Sequence, residues 1–90
     1  MSYRIEVTPR AQKDLKALAV RERQRVAGQI DELKTDPRPQ GCRKLKGREG
    51  FYRIRVGGYR VVYLVEDELL VILIVRVGDR KDLYEIIRRL

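Results

Sequence analysis

The sequence predicts a single small α+β domain over residues 1–90, in which an N-terminal strand and a helical hairpin pack on a small antiparallel sheet with a C-terminal helix. Three observations lead to this prediction. The stretch from Phe51 to Tyr63 alternates with period two around Gly57-Gly58, a pair that suits a two-residue hairpin turn. Apolar residues recur at helical spacing in the first third of the chain and again at its end. A length of 90 residues allows one modest core and no second one.

The N-terminal third predicts a strand followed by two helices. Residues 3–7 alternate apolar and charged side chains, which indicates a strand with one buried face. Thr8-Pro9 is typical of a helix start, with threonine as the N-cap and proline at the first helical position. Asp36-Pro37 ends the second helix, because the residue before a proline is pushed out of the helical region. The apolar stripes of the two helices are Ala11, Leu15, Leu18 and Ala19, then Val26, Ile30 and Leu33.

The middle of the chain predicts a long loop and a β-hairpin. Residues 37–50 carry two prolines and three glycines, which indicates a loop, and residues 43–46 within it are expected to add a short edge strand. The hairpin follows, with strands at 51–56 and 59–65. Its tyrosines at 52, 59 and 63 share one face with apolar residues, so we interpret them as core rather than as base-stacking side chains.

The C-terminal part predicts one more strand and a last helix. Residues 69–77 are almost wholly apolar, as expected for an interior strand that is covered on both faces and ended by Gly78. Residues 82–90 have apolar side chains at helical spacing and arginines in the last turn, where cations suit the helix dipole. Asp79 is interpreted as the N-cap of this helix, although it could also accept a proton.

Composition favours an anionic partner. Twenty-one Lys and Arg against thirteen Asp and Glu give a net charge of +8, which suits nucleic acid or an acidic protein far better than a small neutral metabolite. The single cysteine, Cys42, cannot form an internal disulfide and indicates a reducing compartment. The chain has no apolar run that could span a bilayer and no signal-peptide core, so we expect a cytoplasmic protein without membrane contact.

The predicted hairpin concentrates positive charge. In its two-residue turn geometry Val56 faces Tyr59 and Arg55 faces Arg60, while Arg53 lies two residues back on the same side. Like charges directly opposite each other, roughly 5 Å apart at Cβ, are destabilising. The hairpin carries no carboxylate, so either acidic residues elsewhere in the fold neutralise these arginines, or the partner is anionic. Phosphate is the anion that arginine fits best.

Topology brings further residues to the same place. If the last strand pairs with the hairpin, Arg80 emerges near its turn, and Tyr84 lies about one helical turn further along. Arginine for phosphate and an aromatic ring for a base are the usual composition of an RNA site. The predicted site comprises Arg53, Arg55, Arg60, Arg80 and Tyr84, with Lys44 and Lys46 at its rim.

Several kinds of chemistry are excluded by composition. The chain contains no histidine, so it cannot be a ribonuclease that uses a histidine acid–base pair. It has no paired cysteines for zinc, no phosphate-binding glycine loop and no carboxylate cluster for a two-metal nuclease, so we expect no metal and no cofactor. Any phosphodiester chemistry must therefore depend on charge stabilisation and positioning. RNA permits this because its own 2′-hydroxyl is an internal nucleophile, whereas DNA lacks that group.

Three motifs, in the order and spacing found here, resemble the RelE family of bacterial and archaeal toxins. They are Lys44-Leu-Lys-Gly47, Tyr52-Arg-Ile-Arg-Val-Gly-Gly-Tyr-Arg-Val-Val-Tyr63 and Val77-Gly-Asp-Arg-Lys-Asp-Leu-Tyr84. The resemblance covers nearly the whole chain and implies a ribosome-dependent endoribonuclease that cleaves mRNA in the A site, leaving a 2′,3′-cyclic phosphate and a 5′-hydroxyl. It also implies a RelB-like antitoxin partner, in a heterotetramer that binds operator DNA, and a C-terminal helix that the antitoxin displaces.

The resemblance also implies a role for each site residue. Arg60 falls where the family has an arginine that grips the scissile phosphate, Arg80 where one stabilises the leaving oxygen, and Tyr84 where a tyrosine stacks on or orients the target base. Arg53 and Arg55 match two strand positions that are lysine in the best-known members. Because a guanidinium in a protein stays charged, their role is electrostatic, and the general base is left open.

Two other functions are compatible with parts of the pattern. A ParE-like inhibitor of DNA gyrase resembles this chain in its helical hairpin and sheet, but that group generally lacks the full basic set. A basic RNA-binding module without turnover would use the same arginines. RNA cleavage that is lost in Arg60→Ala separates the toxin nuclease from both.

Overall fold

The chain forms a five-stranded sheet with helices on both faces, in a computed structural model that describes residues 2–90. In chain order the elements are β1 (Arg4–Val7), α1 (Pro9–Lys16), α2 (Val20–Glu32), β2 (Arg43–Lys44), β3 (Phe51–Val56), β4 (Tyr59–Glu66), β5 (Val71–Asp79) and α3 (Leu83–Arg88). The strands lie side by side in the order β1-β5-β4-β3-β2. The predicted α+β fold, with its helical hairpin and C-terminal helix, is confirmed.

The sheet is mixed rather than wholly antiparallel. β1 runs parallel to β5, while the other three neighbouring pairs are antiparallel as predicted. Parallel neighbours need a long crossover connection, and here all the elements between β1 and β5 supply it. Alternation in the sequence showed which face of β1 is buried, but it carried no information about the partner strand.

The helical hairpin packs on one face of the sheet, which we call the helical-hairpin face. α1 begins as predicted, because the Thr8 hydroxyl accepts a hydrogen bond from the backbone N–H of Ala11 at 3.1 Å and Pro9 opens the helix. Ala19 is exposed at the N-cap of α2, contrary to the prediction, but the other apolar residues of the two predicted stripes point into the core. Its residues from the two helices are Ala11, Val26, Ile30 and Leu33, and those from the sheet include Ile54, Val56, Val61, Tyr63, Ile72 and Ile74.

The central hairpin has the predicted register. Arg55 pairs with Arg60, and Val56 pairs with Tyr59. Gly57 has a φ of 61°, in the left-handed region where glycine is favoured, so the turn needs glycine at this position. The hairpin tyrosines lie on the helical-hairpin face, packed into or against its core, which agrees with their interpretation as core residues.

The C-terminal helix packs on the opposite face of the sheet. Ile86 of α3 is buried against Leu45 and Val62, in a second and smaller apolar cluster. The prediction of one core and no second one is therefore wrong. Gly78 does not end β5, contrary to the prediction; it lies within the strand and leaves room for α3. A Cβ built on Gly78 would lie 2.6 Å from Cδ1 of Ile86.

Asp79 lies in the turn before α3 and is not the N-cap of that helix, contrary to the prediction. Its carboxylate accepts hydrogen bonds from the backbone N–H groups of Lys81 and Asp82, at 2.8 and 3.2 Å. It thus stabilises the turn between β5 and α3, while the residue at the N-cap position of α3 is Asp82. The helix itself spans six residues, which is shorter than the predicted range of 82–90.

A polar network ties the loop after α2 to the end of the sheet remote from the Gly57-Gly58 turn. Arg38 donates hydrogen bonds to both carboxylate oxygens of Asp67, at 3.2 and 2.7 Å. Tyr3 donates to the same carboxylate at 2.6 Å, and the guanidinium of Arg38 also lies 5.1 Å from the ring centre of Tyr52. These bonds hold the pKa of Asp67 below its ordinary value. Within residues 2–90, no helix is long and apolar enough to cross a membrane.

Candidate nucleic-acid interface

Three arginines of the central hairpin lie on the sheet face opposite the helical hairpin, which we call the arginine face. Arg53 and Arg55 alternate with the core residue Ile54 on β3, and Arg60 lies directly across from Arg55 on β4. In an antiparallel pair, directly opposed residues share a face and stand close together. The predicted arrangement of these three side chains is therefore confirmed.

Arg80 joins this group because of how β5 pairs. Asp79 pairs with Tyr59 at the end of the sheet, so the chain leaves β5 beside the hairpin turn. The backbone N–H of Arg80 donates to the carbonyl of Gly58 at 3.1 Å, which fixes the start of the next segment against the turn. Arg80 itself is exposed. The predicted convergence of Arg80 with Arg55 and Arg60 is confirmed.

Arg60 lies at the centre of this positive charge. It is only 8% exposed, and its Nη1 donates to the carbonyl of Tyr59 at 3.1 Å. The pKa of Arg60 lies below its ordinary value because of desolvation first, and then because of the charges of Arg55, Arg53 and Arg80. A guanidinium that is desolvated and surrounded by cations gains more from an incoming anion than a solvated one does.

The described residues supply no compensating carboxylate. Among residues 2–90, no Asp or Glu lies within ion-pair distance of Arg53, Arg55, Arg60 or Arg80. Arg76 on β5 provides the contrast, because its Nε lies 2.8 Å from a carboxylate oxygen of Asp14. An arginine with a structural role in this sheet thus has an acidic partner, whereas the four clustered arginines have none. This observation argues against the interpretation of the cluster as a set of neutralised surface charges.

Tyr84 lies on α3, the helix that covers part of the arginine face. Its neighbours Leu83 and Ile86 pack into the cluster under the helix, but Tyr84 is 77% exposed. A large aromatic ring left in solvent is suited to stack on a base. The alternative that Tyr84 simply packs the last helix does not agree with this exposure.

The edge strand β2 carries a different basic residue on the arginine face than the sequence indicated. Lys44 pairs with Tyr52 and therefore lies on the helical-hairpin face, away from the cluster. Arg43 pairs with Arg53 and lies on the arginine face. Lys46 is exposed in the loop that follows. Sequence reasoning missed Arg43 because a two-residue strand has no alternating pattern that would reveal its register.

A second missed residue lies at the tip of the hairpin. The guanidinium of Arg25, from α2, packs over the turn, and its Nη1 is 2.9 Å from the position that a Cβ on Gly57 would occupy. Arg25 is exposed, and nothing in the sequence pattern placed it at the hairpin turn. The close approach to Gly57 extends the positive charge around the end of the sheet.

The described residues contain no metal site of the usual composition. No group of three or more His, Cys, Asp or Glu side chains in residues 2–90 is arranged to hold a metal ion. The guanidinium groups and the tyrosine of the arginine face can bind phosphate, stabilise negative charge and stack on a base.

The chain is similar to known toxins. The model of a family described as the ParE toxin of the type II toxin–antitoxin system parDE matches residues 5–84. A relative from Methanocaldococcus jannaschii, named RelE1, is 33% identical over 88 residues, which is 94% of this chain and 98% of that protein. The mRNA interferase toxin RelE of Escherichia coli K12 is 32% identical over 83 residues, 90% of this chain and 86% of that protein.

Solved structures show the same likeness. RelE in the archaeal RelE–RelB complex from Pyrococcus horikoshii OT3 is 32% identical, with a TM-score of 0.79 over 89% of this chain and 97% of that chain. A double mutant of the E. coli toxin RelE in the free state is 30% identical, also with a TM-score of 0.79, over 100% and 99% of the two chains. The likeness spans the whole fold and includes the strands that carry the arginine cluster. The chain therefore belongs to the RelE family of type II toxins, within the larger group that also includes ParE.

Proposed function

We propose that this toxin is a metal-independent endoribonuclease that cleaves mRNA in the ribosomal A site. The observation that carries the proposal is the cluster of Arg55, Arg60 and Arg80 with no carboxylate in ion-pair distance among the described residues. The relative from E. coli is named an mRNA interferase, which supports RNA as the substrate. Inhibition of translation follows from loss of the message.

The proposed reaction uses the substrate's own nucleophile. The 2′-oxygen of the nucleotide before the scissile bond attacks phosphorus, and the bond from phosphorus to the 5′-oxygen breaks. The 2′-hydroxyl loses its proton and the leaving oxygen gains one, so the products are a 2′,3′-cyclic phosphate and a 5′-hydroxyl. The protein contributes by holding the reacting groups in line and by stabilising negative charge, two effects that supply most of the catalysis in phosphoryl chemistry.

Each site residue has a proposed role that agrees with its position. Arg60, desolvated at the centre of the cluster, binds the scissile phosphate. Arg80, at the end of β5, stabilises the leaving oxygen, and Tyr84 stacks on the target base. Arg53 and Arg55 keep the electrostatic potential at the scissile phosphate positive. Lys46 contacts the RNA or the ribosome at the rim of the site. Lys44 is not included, since it lies on the other face of the sheet.

The test is primer extension on mRNA in programmed ribosomes, with wild type, Arg60→Ala and Arg4→Ala compared. We expect discrete A-site cuts with wild type, at least a hundredfold less cleavage with Arg60→Ala, as for loss of one preorganised charge-stabilising group (~2.7 kcal/mol or more), and no loss with Arg4→Ala. Arg4 is a matched control, because it is an exposed sheet arginine already paired with Glu6 at 2.8 Å.

Two further observations complete the test. Circular dichroism must show that Arg60→Ala is folded, because Arg60 is buried. Replacing the nucleophilic 2′-hydroxyl by a 2′-O-methyl group should abolish cleavage, since no other internal nucleophile is available. Absence of cuts with folded wild-type protein would refute the proposal.

We also propose an antitoxin partner. Several of the structural neighbours are RelE proteins in complex with RelB, including those from P. horikoshii and Mycobacterium tuberculosis. An acidic antitoxin suits a toxin with a net charge of +8. The proposed complex is a heterotetramer that binds operator DNA, in which an antitoxin helix displaces α3 and removes Tyr84 from the site.

A second candidate is inhibition of DNA gyrase, because the matching family model is named after ParE. The unpaired arginine cluster favours the nuclease, since a gyrase inhibitor has no need to bind a scissile phosphate. A gyrase supercoiling assay separates the two. Inhibition of supercoiling by a protein that makes no cuts on ribosomes would support the ParE-like function.

A further inference from the structure

We infer that Arg43 is an additional RNA-binding residue, which contacts a phosphate beyond the scissile one as the RNA strand crosses the arginine face toward the edge of the sheet. This inference rests on the proposed function and names the path of its substrate. It assigns a role to a residue that lies outside the three motifs of the sequence analysis.

Strand register places Arg43 in the cluster. Arg43 pairs with Arg53 across β2 and β3, so both side chains lie on the same face of the sheet. The position of Leu45 gives independent support: two residues further on, it is buried against Val62 and Ile86 under α3, on that same face. Arg43 itself is exposed on the outermost strand, where no further strand covers it.

The arrangement repeats an unfavourable feature of the central hairpin. Arg43 and Arg53 form a second directly opposed arginine pair, beside the pair of Arg55 and Arg60. Each such pair costs stability, because like charges face each other at close range. No Asp or Glu within the described part of the chain forms an ion pair with Arg43. Two unneutralised arginine pairs on one face indicate a ligand that carries several negative charges in a row.

The arginines lie in a row that crosses the sheet. Arg80 follows β5, Arg60 is on β4, Arg55 and Arg53 are on β3, and Arg43 is on β2. Neighbouring strands are about 4.8 Å apart, and alternate residues of one strand are about 7 Å apart. Arg43 therefore lies about 12 Å from Arg60, two strand spacings across the sheet and two residues along it. An RNA strand whose scissile phosphate lies at Arg60 and whose backbone continues across the arginine face can present another of its phosphates to Arg43.

An acidic peptide is the competing ligand for such a row. Arginine binds carboxylate and phosphate alike in a bidentate manner, so the guanidinium group alone does not separate the two ligands. What favours RNA is that the row is continuous with Arg60 and Arg80, at which the proposed reaction places the scissile phosphate. RNA extends beyond that phosphate in both directions, so its backbone has to cross neighbouring parts of the same face.

The chain provides a matched pair of variants. Arg43→Ala and Lys44→Ala each remove one positive charge from adjacent exposed residues of β2, but only Arg43 lies on the arginine face. One readout is the KM and kcat of cleavage on programmed ribosomes. The other is binding to a single-stranded 12-nucleotide RNA with 2′-O-methyl groups throughout, which the proposed reaction cannot cut.

We expect Arg43→Ala to raise KM about tenfold with kcat unchanged, as for loss of one charge-assisted contact that binds ground state and transition state alike. The slope of log binding constant against log salt should become shallower by about 0.7, the value for one phosphate contact to a single strand. Lys44→Ala should change neither quantity, and Arg43→Lys should recover part of the affinity.

Equally large effects of Arg43→Ala and Lys44→Ala would overturn the inference, because they would indicate net charge alone. No effect of Arg43→Ala on KM or on oligonucleotide binding would also overturn it, because Arg43 would then make no contact with the RNA. So would undetectable binding of the oligonucleotide by wild type. If wild type binds the oligonucleotide but makes no cuts on ribosomes, the proposed nuclease fails. The binding comparison then still decides the role of Arg43.

Discussion

Asp67 makes a contribution to stability that depends on a defined set of contacts. Hydrogen bonds from Arg38 and then Tyr3 hold the pKa of its carboxyl below the ordinary value. A carboxyl whose pKa is depressed on folding binds fewer protons in the folded state, so it adds stability that is fully present above its unfolded pKa of about 3.9. That contribution is lost as the pH falls through the lower, folded-state pKa.

Asp67→Asn should therefore be less stable than wild type at pH 7, and the difference should shrink as the pH falls below about 4. The measurement is the urea midpoint of both proteins between pH 2.5 and 7. The variant keeps a side chain of the same shape, so packing is preserved. Parallel pH profiles for the two proteins would show that the network around Arg38 does not stabilise the carboxylate.

At the scale of elements, α3 depends on a single glycine of β5. A Cβ on Gly78 would lie 2.6 Å from Cδ1 of the buried Ile86, so Gly78→Ala should loosen the helix and cost about 1–3 kcal/mol. Ile86→Val removes that carbon, and it should cost about 1 kcal/mol alone but relieve the clash in the double variant. Thermal unfolding and hydrogen exchange of the α3 amides measure both effects.

Gly28 in α2 serves as the control for this cycle. Nothing lies within 4 Å of the position of a Cβ on Gly28, so Gly28→Ala should stabilise the protein by about 0.5–1 kcal/mol through helix propensity. Additive effects of Gly78→Ala and Ile86→Val would contradict the packing argument. Loss of α3 protection in Gly78→Ala, restored in the double variant, would support it.

Local pattern predicted the elements well because the relevant interactions are close in sequence. The two-residue turn at Gly57-Gly58 determined the pairing of Arg55 with Arg60, and Thr8-Pro9 marked the start of α1. What local pattern could not show was pairing between distant segments. The parallel alignment of β1 with β5 joins the two ends of the fold.

The same reason explains the errors in the candidate site. The six residues that separate β2 from β3 leave the register of Arg43 and Lys44 undetermined, so the sequence could not show that Arg43, and not Lys44, lies on the arginine face. Gly78 was expected to end a strand, because the close approach of Ile86 is visible only once α3 is in place. Both errors concern contacts whose partners lie in another element.

At the scale of the whole molecule, the excess of positive charge destabilises the folded state through repulsion. The net charge is +8, and the arginine face places two pairs of like charges in direct opposition. Salt screens such repulsion, with a Debye length of about 10 Å at 0.1 M. The thermal midpoint of the free toxin should therefore rise with ionic strength, whereas a protein stabilised mainly by surface ion pairs would lose stability.

Arg55→Gln tests this origin of the salt effect, because Arg55 is exposed and directly faces Arg60. Relief of one like-charge pair is worth about 0.5 kcal/mol, which should raise the thermal midpoint by roughly 2–4 °C at low salt. The gain should disappear at about 1 M salt, where the Debye length is about 3 Å. Arg4→Gln removes the same charge from an arginine paired with Glu6 and should give no gain.

If Arg55→Gln is more stable than wild type but cuts RNA less, the toxin keeps this repulsion for binding phosphate. If Arg55→Gln is less stable than wild type at low salt, the result contradicts the argument.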